Sequence, residues 1–206
     1  MLVGGAVLPH PPIILPHFAD RRGEEVEPTI DAVRSACRWI AGVLRPDRVV
    51  IASPHEGHGF AVPLHFLEEA LGTPLAAGEL LTDDPSYATY RDLGEELRRR
   101  ETANPDRVAV IASGDCSHRL RPDGPYGEHP LAPELDRAIV AAVHTGRCAA
   151  LLDIDPALVE AGGECGLRSF VWALAALRPP RCEVLSYQAP YGVGYLVAVM
   201  EAGPAA

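Results

Sequence analysis

Length, composition and charge restrict what this chain can be. Its 206 residues fit one domain with a sizeable core, and 48% hydrophobic against 22% charged residues exclude a disordered, collagen-like or coiled-coil chain. The formal charge of −10 opposes binding to phosphate backbones, so nucleic acid is not expected as a partner.

Cysteine usage and hydropathy predict a soluble protein of a reducing compartment. The five cysteines are scattered and contain no C-x-x-C pair, which argues against a disulfide framework or a thiolate zinc site. No apolar stretch approaches the roughly 18–20 residues of a membrane helix, and residues 1–16 lack the basic start of a signal peptide. We therefore expect a cytoplasmic protein without a membrane partner.

Apolar runs rich in β-branched residues predict six strands. These are Leu2–Leu8, Arg48–Ala52, Phe60–Phe66, Arg107–Ala112, Glu183–Tyr187 and Val193–Met200. The last two are close enough in the chain to form a hairpin at one edge of a sheet.

Segments with helical periodicity lie between these runs. Apolar residues at 26, 30, 33, 37, 40 and 44 predict an amphipathic helix. A second helix is predicted from Asp84-Pro85 to Arg98–Arg100, with Tyr90, Leu93 and Leu97 facing inward. Further helices are predicted over Pro133–His144, at Asp155-Pro156, and over Leu167–Leu174 before Pro179-Pro180. The alternation predicts one α/β domain over residues 1–206, with a largely parallel or mixed central sheet flanked by helices.

Histidines follow three of the predicted strands directly. His10 lies in L-P-H-P-P, His55 in S-P-H-E-G-H-G and His118 in S-G-D-C-S-H, and the strands before His55 and His118 share the lead-in Val-Ile-Ala-Ser. Because ligands of open α/β sheets bind beyond the carboxyl ends of the strands, these side chains are candidates for a common site. Neutral imidazole is the commonest protein ligand for zinc, iron and copper.

A carboxylate is the natural completion of a two-histidine metal site. Glu164, in A-G-G-E-C-G-L, is the best candidate, although a glutamate that favours the first turn of a helix explains the same position. Cys165 is either a second candidate ligand or a small buried residue.

Three neighbouring residues have weaker signals. Glu56 and His58 flank His55 and are candidates for supporting hydrogen bonds or alternative ligation, with a solvated loop as the simpler interpretation. Asp115 could orient His118, and an Asx turn explains it equally well.

The order of these motifs resembles the catalytic-subunit family of class III extradiol dioxygenases (LigB-like) and its Memo-like relatives. The similarity rests on H-P-P, S-P-H-E, S-G-D-C-S-H and E-C-G and covers about residues 4–172. It implies an α/β fold with non-haem Fe(II) held by His10, His55 and Glu164, while His118 is the catalytic acid/base. It also implies an oxidoreductase that cleaves the ring of a catechol-like molecule with O₂, with homo-oligomers as a further expectation.

Two alternatives stay open at this point. If Cys165 rather than Glu164 faces the metal, the softer thiolate favours copper and a Memo-like metal-binding or redox protein without ring cleavage. If the same ligands hold zinc, the protein is instead a metal-dependent hydrolase.

Overall fold

A six-stranded sheet is the centre of the computed structural model, which describes residues 1–75, 78–82, 84, 86–180 and 182–204. The strands are β1 (Leu2–Leu8), β2 (Arg48–Ser53), β3 (Glu79–Leu80), β4 (Val108–Ser113), β5 (Glu183–Gln188) and β6 (Tyr195–Glu201). Their order is β3-β2-β4-β1-β6-β5, in which the first four are parallel and the β5–β6 hairpin is antiparallel. This confirms the predicted α/β fold with a mixed, mostly parallel sheet and an edge hairpin.

Helices cover both faces of this sheet. They are α1 (Glu27–Trp39), α2 (His58–Leu71), α3 (Tyr87–Thr102), α4 (Ala132–Thr145), α5 (Cys148–Leu152), α6 (Pro156–Gly162) and α7 (Leu167–Leu177). A π-helical turn at Ile40–Leu44 continues α1, and three short 3-10 turns lie at Pro12–Ile14, Pro16–Arg21 and Glu24–Val26.

The central strands are buried on both sides because successive side chains point to opposite faces. In β4, Val110 packs into a core with α3, α4, α5 and α7, whereas Ile111 packs into a second core with α1 and α2. This double burial explains why the parallel strands read as continuous apolar runs in the sequence. None of the helices in the described part of the chain is long and apolar enough to cross a membrane.

The predicted strand Phe60–Phe66 is wrong, because these residues lie inside helix α2. The segment is rich in strand-forming residues, but the buried positions 59, 62, 63, 66 and 67 repeat every three to four residues, which is a helical period. Pro63 lies inside this helix, and because proline has no N–H, the carbonyl of Gly59 lacks its helical donor. Packing against the second core therefore overrides the local preference.

Helix α3 begins later than predicted. It starts at Tyr87, and Pro85 of the predicted start lies outside the described residues. Asp84 still contacts the start of the helix, because its carboxylate accepts hydrogen bonds from Ser86 N and the Thr89 hydroxyl. On the predicted inward face, Tyr90 and Leu97 are buried, but Leu93 is exposed, which corrects that part of the prediction.

Candidate metal centre

The three histidines predicted at strand ends meet at one edge of the sheet. Strands β2, β4 and β1 are parallel neighbours, so their carboxyl ends lie side by side. His10, His55 and His118 follow these ends, and all three line one cavity of about 540 Å³. The topology therefore places the predicted residues around a common space, as ligand sites in α/β sheets require.

Three imidazoles form a compact triangle on this cavity. The ring centroids of His10 and His55 are 5.4 Å apart, those of His10 and His58 5.1 Å, and those of His55 and His58 5.4 Å. Gly57 adopts a left-handed φ of 61° just before α2, and this turn brings His58 back towards His55. His58, for which the sequence also allows a solvated loop, thus belongs to a candidate metal-binding group.

A second donor group shares His10 with the first. Nε2 of His10 lies 3.4 Å from Sγ of Cys165 and 4.0 Å from Oδ2 of Asp115, and all three side chains are buried. Asp115 accepts a hydrogen bond from His10 N at 3.0 Å, and its own N–H donates to Cys165 Sγ at 3.3 Å. The segment after β4 therefore ties His10 to Cys165.

Close contact between two glycines allows this arrangement. A Cβ at Gly114 would lie 2.4 Å from Cα of Gly166, so neither backbone could give way easily. The contact brings the segment after β4 against the turn that carries Cys165.

Replacing Gly114 with alanine is expected to reduce the free energy of unfolding by about 1–3 kcal/mol, because the added methyl overpacks this contact. Thermal unfolding would show a melting temperature lower by about 2–4 °C for each kcal/mol. The matched control is Gly42→Ala, since a Cβ at the exposed Gly42 meets nothing within 4 Å. Equal melting temperatures for the two variants would contradict the close approach.

Burial sets the protonation of the central groups. It lowers the pKa of His10 to about 3, with smaller contributions from the nearby His58 and His55, so the imidazole is neutral at physiological pH. Burial also raises the pKa of Asp115 to about 6, although the His10 N–H bond opposes this shift. The pKa of Cys165 is likewise raised by burial. A neutral imidazole with a free lone pair is the form that binds a metal ion.

His118 lies apart from the donor groups but on the same cavity. Its ring stacks on Tyr126 with centroids 5.0 Å apart and an interplanar angle of 25°. Its backbone N–H donates to the carbonyl of Gly162 at 3.0 Å, which fixes the main chain at this point. Burial lowers the pKa of His118, so its ring is a neutral base near pH 7.

The structure does not bring Glu164 into either donor group. Its Oε1 accepts from the hydroxyl of Tyr87 at 2.9 Å, and its Oε2 accepts from the N–H of Leu167 at 2.6 Å at the start of α7. Among the described residues, the candidate metal-binding groups contain His58, Asp115 and Cys165 but neither Glu164 nor Glu56, which is exposed. Ligation by Glu164 is what the family resemblance implies, whereas its observed contacts are those of a helix-start carboxylate.

Replacement of Glu164 by alanine is expected to lower stability by about 1–3 kcal/mol, because the Tyr87 hydroxyl and the Leu167 N–H lose their acceptor. Affinity for Zn²⁺ should stay close to that of the unmodified protein, since the carboxylate accepts hydrogen bonds from Tyr87 and Leu167 and belongs to neither donor group. Thermal unfolding and zinc titration measure the two effects, with exposed Glu160→Ala as the control. A loss of zinc affinity as large as that of a ligand histidine would instead assign Glu164 to the metal.

The chemistry of the donors fits a first-row divalent metal ion. The ligand atoms of His10, His55 and His58 lie within 4.8 Å of one another, and since nitrogens about 2 Å from a shared ion are at most about 4 Å apart, a small movement of the rings lets them share one ion. Asp115 and Cys165 add a carboxylate and a thiol on the buried side. Imidazole and carboxylate suit iron and zinc, whereas the thiol favours softer ions such as copper(I).

Aromatic side chains form other walls of the cavity. Tyr126, Tyr191 and Tyr195 line it, together with Val193 and the cationic Arg21. The sequence does not identify Tyr126 as a site residue, because a lone exposed tyrosine has no distinguishing pattern. The size of the cavity suits a small molecule, since ligand pockets measure about 300–1,000 Å³.

Comparison with known proteins finds a family model that matches most of this chain. The family model of the catalytic LigB subunit of aromatic ring-opening dioxygenase matches residues 57–198, which is more than half of the chain. The matched segment contains His58, His118 and Cys165, whereas His10 and His55 precede it.

Individual relatives extend the similarity over nearly the whole chain. Protein CA_C1420 of Clostridium acetobutylicum is 27% identical over an alignment that covers 98% of this chain and 58% of that protein. The chain therefore spans less than two thirds of the length of this relative. The crystal structure of the uncharacterized protein JW3007 from Escherichia coli K12 has a TM-score of 0.56 at 13% identity, covering 96% of this chain and 99% of that chain. That likeness shows a shared fold.

Proposed function

Because the chain belongs to the LigB family of catalytic subunits of aromatic ring-opening dioxygenases, we propose that it is a metal-dependent oxidoreductase that opens a catechol-like ring with O₂. The observation that carries the proposal is the shared cavity, which is lined by the imidazole triangle and by His118. The same space therefore offers donors for an ion and a separate base for the substrate.

The residues proposed to hold the ion are His10, His55 and His58, with Asp115 and Cys165 beside them. Fe(II) is the proposed ion, and when bound it would supply the redox centre that ring opening by O₂ requires. The protein contributes rigidity, since each histidine follows a strand end or starts a helix. Such positions hold side chains more firmly than a mobile loop does.

His118 is proposed as the group that accepts and returns a proton of the substrate hydroxyl. Its lowered pKa leaves the ring neutral at pH 7, which is the form that accepts a proton. Stacking on Tyr126 restricts rotation of the imidazole. The tyrosine walls would contact the apolar faces of an aromatic substrate and exclude water from the site.

Oxygen uptake by the Fe(II)-loaded protein tests this function. Protein purified without oxygen is loaded with Fe(II), mixed with a panel of catechols, and followed by an oxygen electrode and by the absorbance of ring-opened products. Equal consumption of catechol and O₂, at a rate reduced by about 10²- to 10⁴-fold in His118→Gln, is the expected result. Zinc-restored cleavage of esters or amides without oxygen would contradict it and favour the hydrolase.

The second donor group, His10, Asp115 and Cys165, favours an alternative function. His10, Asp115 and Cys165 are all buried, and the Sγ of Cys165 lies 3.4 Å from His10 Nε2, which suits a softer ion. Under this alternative the protein is a Memo-like copper-binding or redox protein without ring cleavage. Copper preferred over iron, with binding weakened by Cys165→Ser but unaffected by His58→Ala, would support it over the dioxygenase.

The domain organisation and the oligomeric state of the chain are also proposed. We propose that residues 1–206 act as one domain of this type and assemble as a homo-oligomer. Sedimentation of the purified chain, alone and with metal, measures the assembly.

A further inference from the structure

A serine hydroxyl lies between His10 and helix α2. The Oγ of Ser113, the last residue of β4, is 3.0 Å from Nδ1 of His10 and 2.6 Å from the carbonyl oxygen of Gly59. Ser113 and His10 are buried, and water therefore does not compete for these contacts. The arrangement joins the ends of β1 and β4 to the first turn of α2.

The contact with Gly59 determines the direction of the serine proton. A carbonyl oxygen can only accept, so at 2.6 Å the Ser113 hydroxyl must donate to it. Pro63 explains why this acceptor is free, since the residue four positions after Gly59 normally donates to its carbonyl and proline has no N–H. The serine then presents only lone pairs to His10.

From this geometry we infer that Ser113 is a positioning residue that holds the proton of His10 on Nδ1 and leaves the lone pair of Nε2 directed at the metal site. Nδ1–H is the donor in the contact with Ser113, and Nε2 is the atom that lies beside Cys165 and Asp115. A histidine that binds a metal commonly donates its other ring N–H to a partner that fixes its tautomer. Here the partner is a serine whose own direction depends on a proline in a neighbouring helix.

The repeated lead-in Val-Ile-Ala-Ser places a second serine in the equivalent position of β2. Ser53 accepts from His55 N at 3.1 Å and donates to His55 O at 3.0 Å, so it holds the backbone of that histidine. The two strands thus end in the same residues, but Ser113 contacts the ring of His10 whereas Ser53 contacts the backbone of His55. The inference about the ring proton applies to Ser113 alone.

The first test reads the tautomer in metal-free protein. In ¹⁵N-labelled protein at a pH above 8, long-range proton–nitrogen correlations distinguish a protonated from an unprotonated ring nitrogen, and His10→Gln assigns the signals. The expected result is a protonated Nδ1 and an unprotonated Nε2. A proton on Nε2 in the unmodified protein would overturn the inference, whatever the variants do.

The second test compares three variants. Ser113→Ala should shift the His10 proton towards Nε2 and weaken zinc binding by about 10- to 100-fold, as loss of such partners typically does. Ser113→Thr keeps the hydroxyl and should keep the tautomer. Ser169→Ala removes another buried hydroxyl, one that donates to the carbonyls of Ser113 and Gly166, and should leave the His10 signals unchanged.

The inference rests on the proposed metal site only for the affinity measurement. If the tautomer is as expected but the unmodified protein binds no zinc, the proposed metal site fails while the role of Ser113 stands. If zinc binds and Ser113→Ala changes neither the tautomer nor the affinity, the role of Ser113 is refuted while the metal site stands.

Discussion

Replacing His10 with alanine is expected to lower the affinity for Zn²⁺ or Fe(II) by about a hundredfold or more. A four-ligand zinc site binds with about 10–16 kcal/mol, which corresponds to about 3 kcal/mol for each ligand. His10 belongs to both donor groups, so its loss removes a ligand whichever group holds the ion. Titration against a chromophoric chelator measures the affinity.

A histidine outside the cavity is the control for this experiment. His144 is exposed in the last turn of α4 and belongs to neither donor group, so His144→Ala should bind metal like the unmodified protein. His58→Ala separates the two groups, since it weakens binding only if the imidazole triangle holds the ion. Undiminished metal content in a correctly folded His10→Ala protein would refute the proposed centre.

The sequence contains enough information to predict five of the six strands and three of the candidate site residues, whereas the short strand β3 (Glu79–Leu80) is missed. His10, His55 and His118 each follow a buried apolar run, and parallel strands place their carboxyl ends at one edge. Because β2, β4 and β1 are adjacent in the sheet, the three histidines line the same cavity. The pattern needs no detail of side-chain packing, which explains its success.

The contacts that complete the site depend on the tertiary structure. Cys165 reaches His10 from 155 positions away in the chain, through the contact of Gly114 with Gly166. His58 joins the triangle because α2 begins at that residue, whereas the sequence predicts a strand over Phe60–Phe66. The buried positions of α2 have helical spacing, but Phe60, Ala61 and Leu64 between them are apolar as well, so the period is visible only once burial is known.

The role of Glu164 is not determined by its position in the sequence. Both explanations of this residue, a metal ligand and a carboxylate at a helix start, predict a glutamate just before α7. The observed hydrogen bonds to Tyr87 and to the Leu167 backbone match the second. The motif therefore places Glu164 next to the site without deciding between these two roles, and the metal titration of Glu164→Ala separates them.

Replacing His118 with glutamine is expected to retain the metal and to reduce turnover of a catechol by about 10²- to 10⁴-fold, the usual contribution of a positioned acid/base. His118 belongs to neither donor group, so metal titration should match the unmodified protein. Glutamine keeps a polar side chain next to Tyr126 but cannot exchange a proton. Equal loss of metal and activity would contradict a separate role for this residue.

The pH dependence provides an independent signature of His118. Burial lowers its pKa from the ordinary value of 6.5, with His10, His55 and Arg119 adding to the shift and Asp115 opposing it. Because the neutral ring is the active form, activity should persist below pH 6.5 and decline only as the ring becomes protonated at lower pH. Measuring kcat against pH at saturating substrate tests this decline at low pH. The residual activity of His118→Gln should not show the decline. A decline centred above pH 6.5 that persists in His118→Gln would assign the titration to another group.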